Sequence, residues 1–299
     1  MQTKSYDDLL ALTTALIGAG SLTDPEKAQV LQFVNRRAHE AYQTSESWPR
    51  YMVANEPRTI VANQTVPYAE DSFYVYGAGT SAVNGLYTLS SLQFNSHDVW
   101  ERTDGSDSYF IRRETHGGNN TWHIVKASSA TQVTADAYYY EDGQDGNYPD
   151  ETGWTVDTDG TAPTPTVVNV ANIAEFIRIH RTQPFVNRSA LEYDFYTTAQ
   201  GAHIMNISGG EANIAYVTYK KEFTPFTADS DNIPQEWFYF IAHGAYADFL
   251  RVQDKQEEAI AEEQVAGTYL ALELEKIDNR VNNTNLVNRF STYVSRQAR

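Results

Sequence analysis

Ile233-Pro234-Gln235-Glu236-Trp237-Phe238-Tyr239-Phe240-Ile241-Ala242-His243-Gly244-Ala245-Tyr246-Ala247-Asp248-Phe249-Leu250 opens at a proline and sets Phe238, Ile241, Ala245, Phe249 and, just beyond, Val252 at 3-4-4-3 spacing. That spacing gathers the five on one face of an α-helix, an apolar stripe that needs a partner helix. The partner follows at once. From Gln256 to about Val281, Ala266, Leu270, Leu274 and Ile277 recur on one side, with Glu257, Glu258, Glu262 and Glu263 toward solvent. These acids crowd the first turns, where the helix dipole favours negative charge. A C-terminal helical hairpin is therefore predicted over 233–281, with Trp237, Phe238, Ile241, Ala245, Phe249, Leu270, Leu274 and Ile277 as its packing residues.

Working outward, the N-terminus shows the same chemistry. Leu9, Leu12 and Leu16 lie at helical spacing and stop at Gly18-Ala19-Gly20. Thr23-Asp24-Pro25-Glu26 then supplies a capping box with proline in the first turn, and Leu31, Val34, Ala38, Ala41 and Tyr42 share one face to about Ser45. Between the two helical ends, from Trp48 to Val170, helical periodicity is gone. Short aromatic runs such as Phe73-Tyr74-Val75-Tyr76 and Tyr138-Tyr139-Tyr140 alternate with Gly, Asn, Asp, Ser and Thr. Residues 80–167 read as self-contained, closing on the stiff linker Ala162-Pro163-Thr164-Pro165-Thr166. Runs of period two around 175–180, 192–196 and 215–219 then resume a sheet.

The predicted fold is α+β. N- and C-terminal helices form one helical bundle, with a central β-domain carrying an inserted β-sandwich-like module. The predicted boundaries are 1–47 for the N-terminal helices, 48–79 with 168–232 for the central β-domain, and 80–167 for the insert. The C-terminal hairpin takes 233–281 and an extended tail takes 282–299. That tail holds Arg280's successors Arg289, Arg296 and Arg299 with Phe290 and Tyr293, and no acidic residue follows Asp278.

Composition narrows the function. Hydrophobic residues make up 41% of the 299 and aromatics 13%, which fits a β-rich globular chain. With no cysteine, disulfides, thiolate metal sites and a Cys nucleophile are excluded and assembly in a cytoplasm is expected. No signal-peptide layout opens the chain, and no apolar run approaches the ~20 residues that span a bilayer, so no membrane partner is expected. A net charge of -17 argues against general nucleic-acid binding, which needs clustered Lys and Arg.

Chemical motifs are sparse. Glu141-Asp142-Gly143-Gln144-Asp145-Gly146-Asn147 offers oxygen ligands of the kind Ca²⁺ takes, but lacks EF-hand spacing and reads as a solvated turn. The seven histidines show no zinc spacing, and neither a nucleophile elbow nor a phosphate-binding loop occurs. Glu101, Asp104 and Asp107 near Trp100 imitate a glycosidase's paired acids, though acids this close along a turn are more often solvated. Trp100, Trp122 and Trp154 suit stacking on sugar rings, or the core of a small β-module. No catalytic residue, cofactor or metal is expected.

The segment 233–250 with the Glu-rich helix after it, and helices at both termini around a β-domain, resembles the head-to-tail connector proteins of tailed phages, also called adaptor, head-completion or neck proteins. The likeness covers residues 1–65 loosely and 170–281 better. Val83-Asn84-Gly85-Leu86-Tyr87, Trp100, Trp122, Tyr138-Tyr139-Tyr140 and Gly153-Trp154 resemble a β-module of aquatic-virus structural proteins. The resemblance implies a non-enzymatic virion subunit in the phage neck that forms a homo-oligomeric ring, a dodecamer in the family. The partners it implies are the portal protein, gripped by the tail through Arg289, Phe290, Tyr293, Arg296 and Arg299, and a tail or nozzle protein. DNA passes through the lumen without specific binding during genome ejection. The alternative expectation is a carbohydrate-binding or adhesion protein displayed on the virion.

Overall fold

The computed structural model describes residues 3–61, 64–116, 119–133, 135–141, 148–183, 191–205, 214–227 and 231–297, with side chains described to residue 278 except at 115, 116, 119 and 120. The chain starts with β1 (Thr3–Ser5), α1 (Tyr6–Ile17) and α2 (Asp24–Gln43). Strands β2 (Met52–Thr59), β3 (Thr65–Pro67), β4 (Ser72–Tyr76), β5 (Gly85–Phe94), β6 (His97–Asp104), β7 (Asp107–His116), β8 (Asn119–Ala127) and β9 (Asp136–Glu141) follow. Next come β10 (Thr155–Val156), β11 (Thr166–Asn169), β12 (Ile173–His180), β13 (Phe195–Thr198), β14 (Gly201–Ile204) and β15 (Ile214–Lys221). The last elements are β16 (Asn232–Pro234), α3 (Gln235–Val252) and α4 (Gln256–Gln297). They divide into two compact units, one from residues 1–52 and 223–299, the other from 53–222.

The first unit starts from local signals the sequence carries. Ser5 caps α1 by accepting the Asp8 N–H at 3.1 Å, and Gly18, at φ 77°, ends it in the left-handed region. At α2 the Glu26 carboxylate accepts the Thr23 N–H at 2.8 Å, and that bond holds the Glu26 carboxyl below its ordinary range. Helix α3 is the hub. The stripe residues Phe238, Ile241, Ala245 and Phe249 are buried, and so are Trp237, Phe240, Ala242, Ala247 and Leu250 off the stripe, while Val252 stays exposed. The reason is that α1, α2 and α4 each pack chiefly on α3. Leu9, Val30, Val34, Ala38 and Ala41 join one core with Ile241, Ala245, Leu270 and Ile277, and Leu274 is partly buried against it. Trp237 stacks on Tyr51 at 5.1 Å and meets Trp48 edge-on at 5.4 Å. A buried ion pair ties α2 to α3, with Arg37 Nε and Nη2 donating to Asp248 at 3.0 and 2.7 Å.

The second unit is dominated by an eight-stranded antiparallel sheet in the order β10-β9-β8-β7-β6-β5-β4-β11. Strands β4 to β10 form a meander, and β11 returns to the free edge of β4, with Thr166 opposite Tyr76 and Asn169 opposite Phe73. The sheet curls until its ends nearly meet. The Val167 N–H donates to the Glu151 carbonyl at 3.0 Å, and the Tyr139 hydroxyl donates to the Thr161 carbonyl at 2.6 Å. Period-two alternation turns Phe73, Tyr87, Trp100, Ile111, Trp122, Ile124 and Tyr139 inward, while Val99, Phe110 and Val125 build a second cluster on the other face. Two three-stranded sheets, β12-β15-β2 and β13-β14-β3, share a further core around Val66, Phe176, Ile179, Ile204, Val217 and Tyr219.

These observations correct the predicted fold class. The described chain is mostly β, with sixteen strands against four helices. The terminal helices do not form a bundle of two paired halves; α1, α2 and α4 instead surround α3, and the short pair β1-β16 joins them. The insert is not sandwich-like. Bulky inward aromatics fill the inside of one curled sheet, so no second sheet is needed to cover it. The curled sheet begins at Ser72 and ends at Asn169, wider than 80–167, because the alternation of Phe73-Tyr74-Val75-Tyr76 suits either sheet. The backbone of α4 is helical to Gln297 where an extended tail from 282 was expected; no Gly or Pro follows Gly267 to stop it.

Candidate functional site

On the outer face of the curled sheet, a cleft of about 650 Å³ opens between β4, β5 and β6 on one side and β2 and β15 on the other. Its floor follows from the same alternation that builds the core. With Phe73, Val75, Tyr87 and Trp100 turned inward, Tyr74, Leu86, Thr88 and Glu101 are turned outward, and register sets Tyr74 beside Leu86 and Thr88 beside Glu101. Gln183, Ile214 and Tyr216 close the opposite wall. Gly85 (φ 146°) allows Arg102 to lie flat, since a Cβ there would sit 2.2 Å from its Nε.

The cleft's electrostatics are uneven. Arg102 donates to the Ala82 carbonyl and to Asp104 at 3.1 Å, and lies 5.7 Å from the Tyr109 ring centroid. Glu101 has no hydrogen bond or ion pair to its carboxylate among the described residues. Burial pushes the Tyr74 hydroxyl up, helped by Tyr216, Glu56 and Tyr76, and the Tyr74 ring stacks on the exposed ring of Tyr76 at 5.7 Å. Behind the β2 wall a buried network fixes the strands: Arg58, fully enclosed, pairs with Glu56 at 3.0 Å and donates to the Tyr219 hydroxyl at 2.6 Å. Burial raises the Glu56 carboxyl against the opposing pull of Arg58, and raises the Tyr219 hydroxyl. Thr59 is held by Glu70, whose carboxylate accepts its N–H at 3.2 Å.

The residues singled out in the sequence distribute differently. Trp100, Trp122 and Trp154 are 0, 0 and 5% exposed. They belong to the core of the module, the second of the two readings: Trp100 meets Phe73 at 4.8 Å and Trp122 at 5.8 Å, Trp154 joins the same cluster, and none exposes the ring face that stacking on a sugar needs. Of the three acids near Trp100, Asp104 pairs with Arg102 and Asp107 with Lys126 at 2.8 Å, leaving Glu101 alone in the cleft. Glu141, at the end of β9, is buried and accepts the Asp150 N–H at 3.0 Å; burial raises its carboxyl to about 7. Residues 142–147, the rest of the acidic turn that follows Glu141, lie outside the described residues.

Among the described residues no three His, Asp or Glu side chains gather to hold a metal ion, and no helix is long and apolar enough to cross a membrane. His243 sits at the α3–α4 seam, 2.8 Å from Glu262 and stacked on Tyr269. Arg289, Phe290, Tyr293 and Arg296 lie on the helical backbone of α4 with side chains outside the description, and Arg299 lies beyond it. The cleft itself was missed by sequence reasoning. Its parts come from six separate stretches of the chain, at 57 and 59, 74, 84–86 with 88–90, 101–103, 183, and 214 with 216, and the local trace is the outward half of each alternating run. No known protein family, no curated protein and no solved structure matches the chain.

Proposed function

We propose that this chain is a structural virion protein, a head-to-tail connector subunit that assembles with copies of itself into a ring between the portal and the tail of a phage. The observation that carries this reading is a half-exposed apolar strip along α3 and α4. Tyr239 and Tyr269 stack at 5.1 Å yet remain 44 and 37% exposed, and Val265 and Leu272 continue the strip on α4 at 39 and 51%. Aromatic-rich strips of this kind are where protein interfaces concentrate their energy. In the ring, a neighbouring copy covers the strip. The basic segment 282–299, with Arg289, Phe290, Tyr293, Arg296 and Arg299, grips the portal, and DNA passes through the lumen without specific contacts. The resemblance of 233–281 to connector proteins points the same way.

Cryo-electron microscopy of purified virions tests the proposal directly. The expected result is density for this chain at the neck as a closed ring; its absence from the neck refutes the reading. In solution, Leu272→Glu places a charge in the strip and should shift the assembly toward monomer by light scattering.

A further inference from the structure

We propose that the cleft between β4-β5-β6 and β2/β15 binds a neutral oligosaccharide. This would be a second function, independent of the connector reading. The cleft's volume of about 650 Å³ falls within the ~300–1,000 Å³ of small-ligand sites, and its lining mixes hydroxyls with exposed aromatic surface. Tyr74 and Tyr216 offer ring faces on which the C–H face of a pyranose can lie, and Tyr76 extends that surface along β4. Thr88 and Thr103 set hydroxyls beside them, matched to ligand groups that both donate and accept.

Charge selects among polar ligands. The guanidinium of Arg102 is already committed to Asp104 and the Ala82 carbonyl, whereas the Glu101 carboxylate faces the cleft with no partner among the described residues. A carboxylate only accepts, so it suits the hydroxyl donors of a sugar and repels phosphate, sulfate or sialate. The net charge of -17 adds to that repulsion. On the β4, β5 and β6 side no free sheet edge is offered to a peptide added as a strand, since each of these is paired on both sides; β2, on the other side, is the edge of its sheet, and a peptide paired there would leave the Glu101 carboxylate without hydroxyl donors. A lipid or other apolar ligand would leave Glu101 and the threonine hydroxyls desolvated and unsatisfied.

The test uses the full chain, titrated calorimetrically with neutral hexasaccharides of glucose, mannose, galactose and N-acetylglucosamine, and with sialyllactose and a heparin hexasaccharide as anionic probes. Binding of at least one neutral probe is expected, with Kd raised at least roughly tenfold by Glu101→Gln and by Tyr216→Ala. Glu101→Gln keeps shape and lies in an open cleft, so it decides the matter if Tyr216→Ala fails to fold. Binding of anionic probes alone, no neutral binding at millimolar concentration, or neutral binding unchanged in Glu101→Gln overturns the proposal. None of these outcomes moves the location of the chain in the virion, which tests the connector reading separately.

Discussion

Asp248→Asn should remove more stability than any other single-atom exchange in the helical unit. The Asp248 and Arg37 side chains are 3 and 4% exposed and meet through two hydrogen bonds of 3.0 and 2.7 Å, with Arg36 and Arg251 completing the cluster around the carboxylate. Deleting one partner of a buried pair costs about 3–5 kcal/mol, because the other charge stays enclosed. Glu40 at 2.9 Å and Glu263 at 3.3 Å still reach the Arg37 guanidinium, which places the expected loss near the low end, about 3 kcal/mol. That corresponds to a fall in Tm on the order of 10 °C. Urea unfolding followed by far-ultraviolet circular dichroism, with wild type alongside, measures it. Lys27→Ala breaks only an exposed 4.0 Å pair with Asp24 and should cost less than about 0.5 kcal/mol. The double change Arg37→Met/Asp248→Leu should recover most of the loss, since apolar groups of similar size need no partner. A loss below about 1 kcal/mol for Asp248→Asn refutes the reasoning.

Other expectations are as sharp. Glu141 is enclosed and its carboxyl is raised to about 7 in the folded chain, so folding favours its protonated form. Its contribution is therefore fully present below the unfolded value and is lost as pH rises toward about 7. Stability of the wild type should fall by roughly 1–3 kcal/mol over that window, and Glu141→Gln should flatten the profile in denaturant titrations at stepped pH. Trp100→Ala empties the middle of the curled sheet and should cost about 3–5 kcal/mol, read as a lower urea midpoint for the β unit. At Gly201 a Cβ would lie 2.0 Å from the Val66 carbonyl oxygen, with φ at 142°. Gly201→Ala should lose about 1–3 kcal/mol by the same measurement, and a neutral result would mean the β3–β14 approach is looser than described.

The elements whose sequence carries its own punctuation were legible. The capping residues Thr23 and Glu26, the glycine at 18 and the 3-4-4-3 run in α3 each act within a few residues, and each stands where its chemistry placed it. Arrangement was not legible. A stripe shows that a helix has a partner but not how many, and α3 meets three. Short aromatic runs punctuated by Gly, Asn, Asp, Ser and Thr showed strands without showing whether two sheets or one curled sheet would cover the aromatics; the pairing of all eight strands into one sheet, with Trp100 and Trp122 in contact on its inner face, decides it. The tryptophans drew attention as binding residues because they are large and sparse, the same properties that make them core. The tyrosines at 74 and 216, which line the cleft, sit in runs of ordinary composition and come together only through pairing across distant strands.

The helical unit is assembled from both ends of the chain, and that has a consequence for synthesis. When α1 and α2 leave the ribosome, the faces carrying Leu9, Val30, Val34 and Ala38 have no hub to cover them, since α3 starts only at Gln235. At ~5–20 residues per second, that wait is on the order of 10–40 s. Meanwhile the β unit, contiguous from 53 to 222, can complete itself. The nascent chain thus carries a finished domain between two unfinished halves, and during that interval its bare N-terminal helices are the part of the molecule most open to chaperones or to a wrong partner.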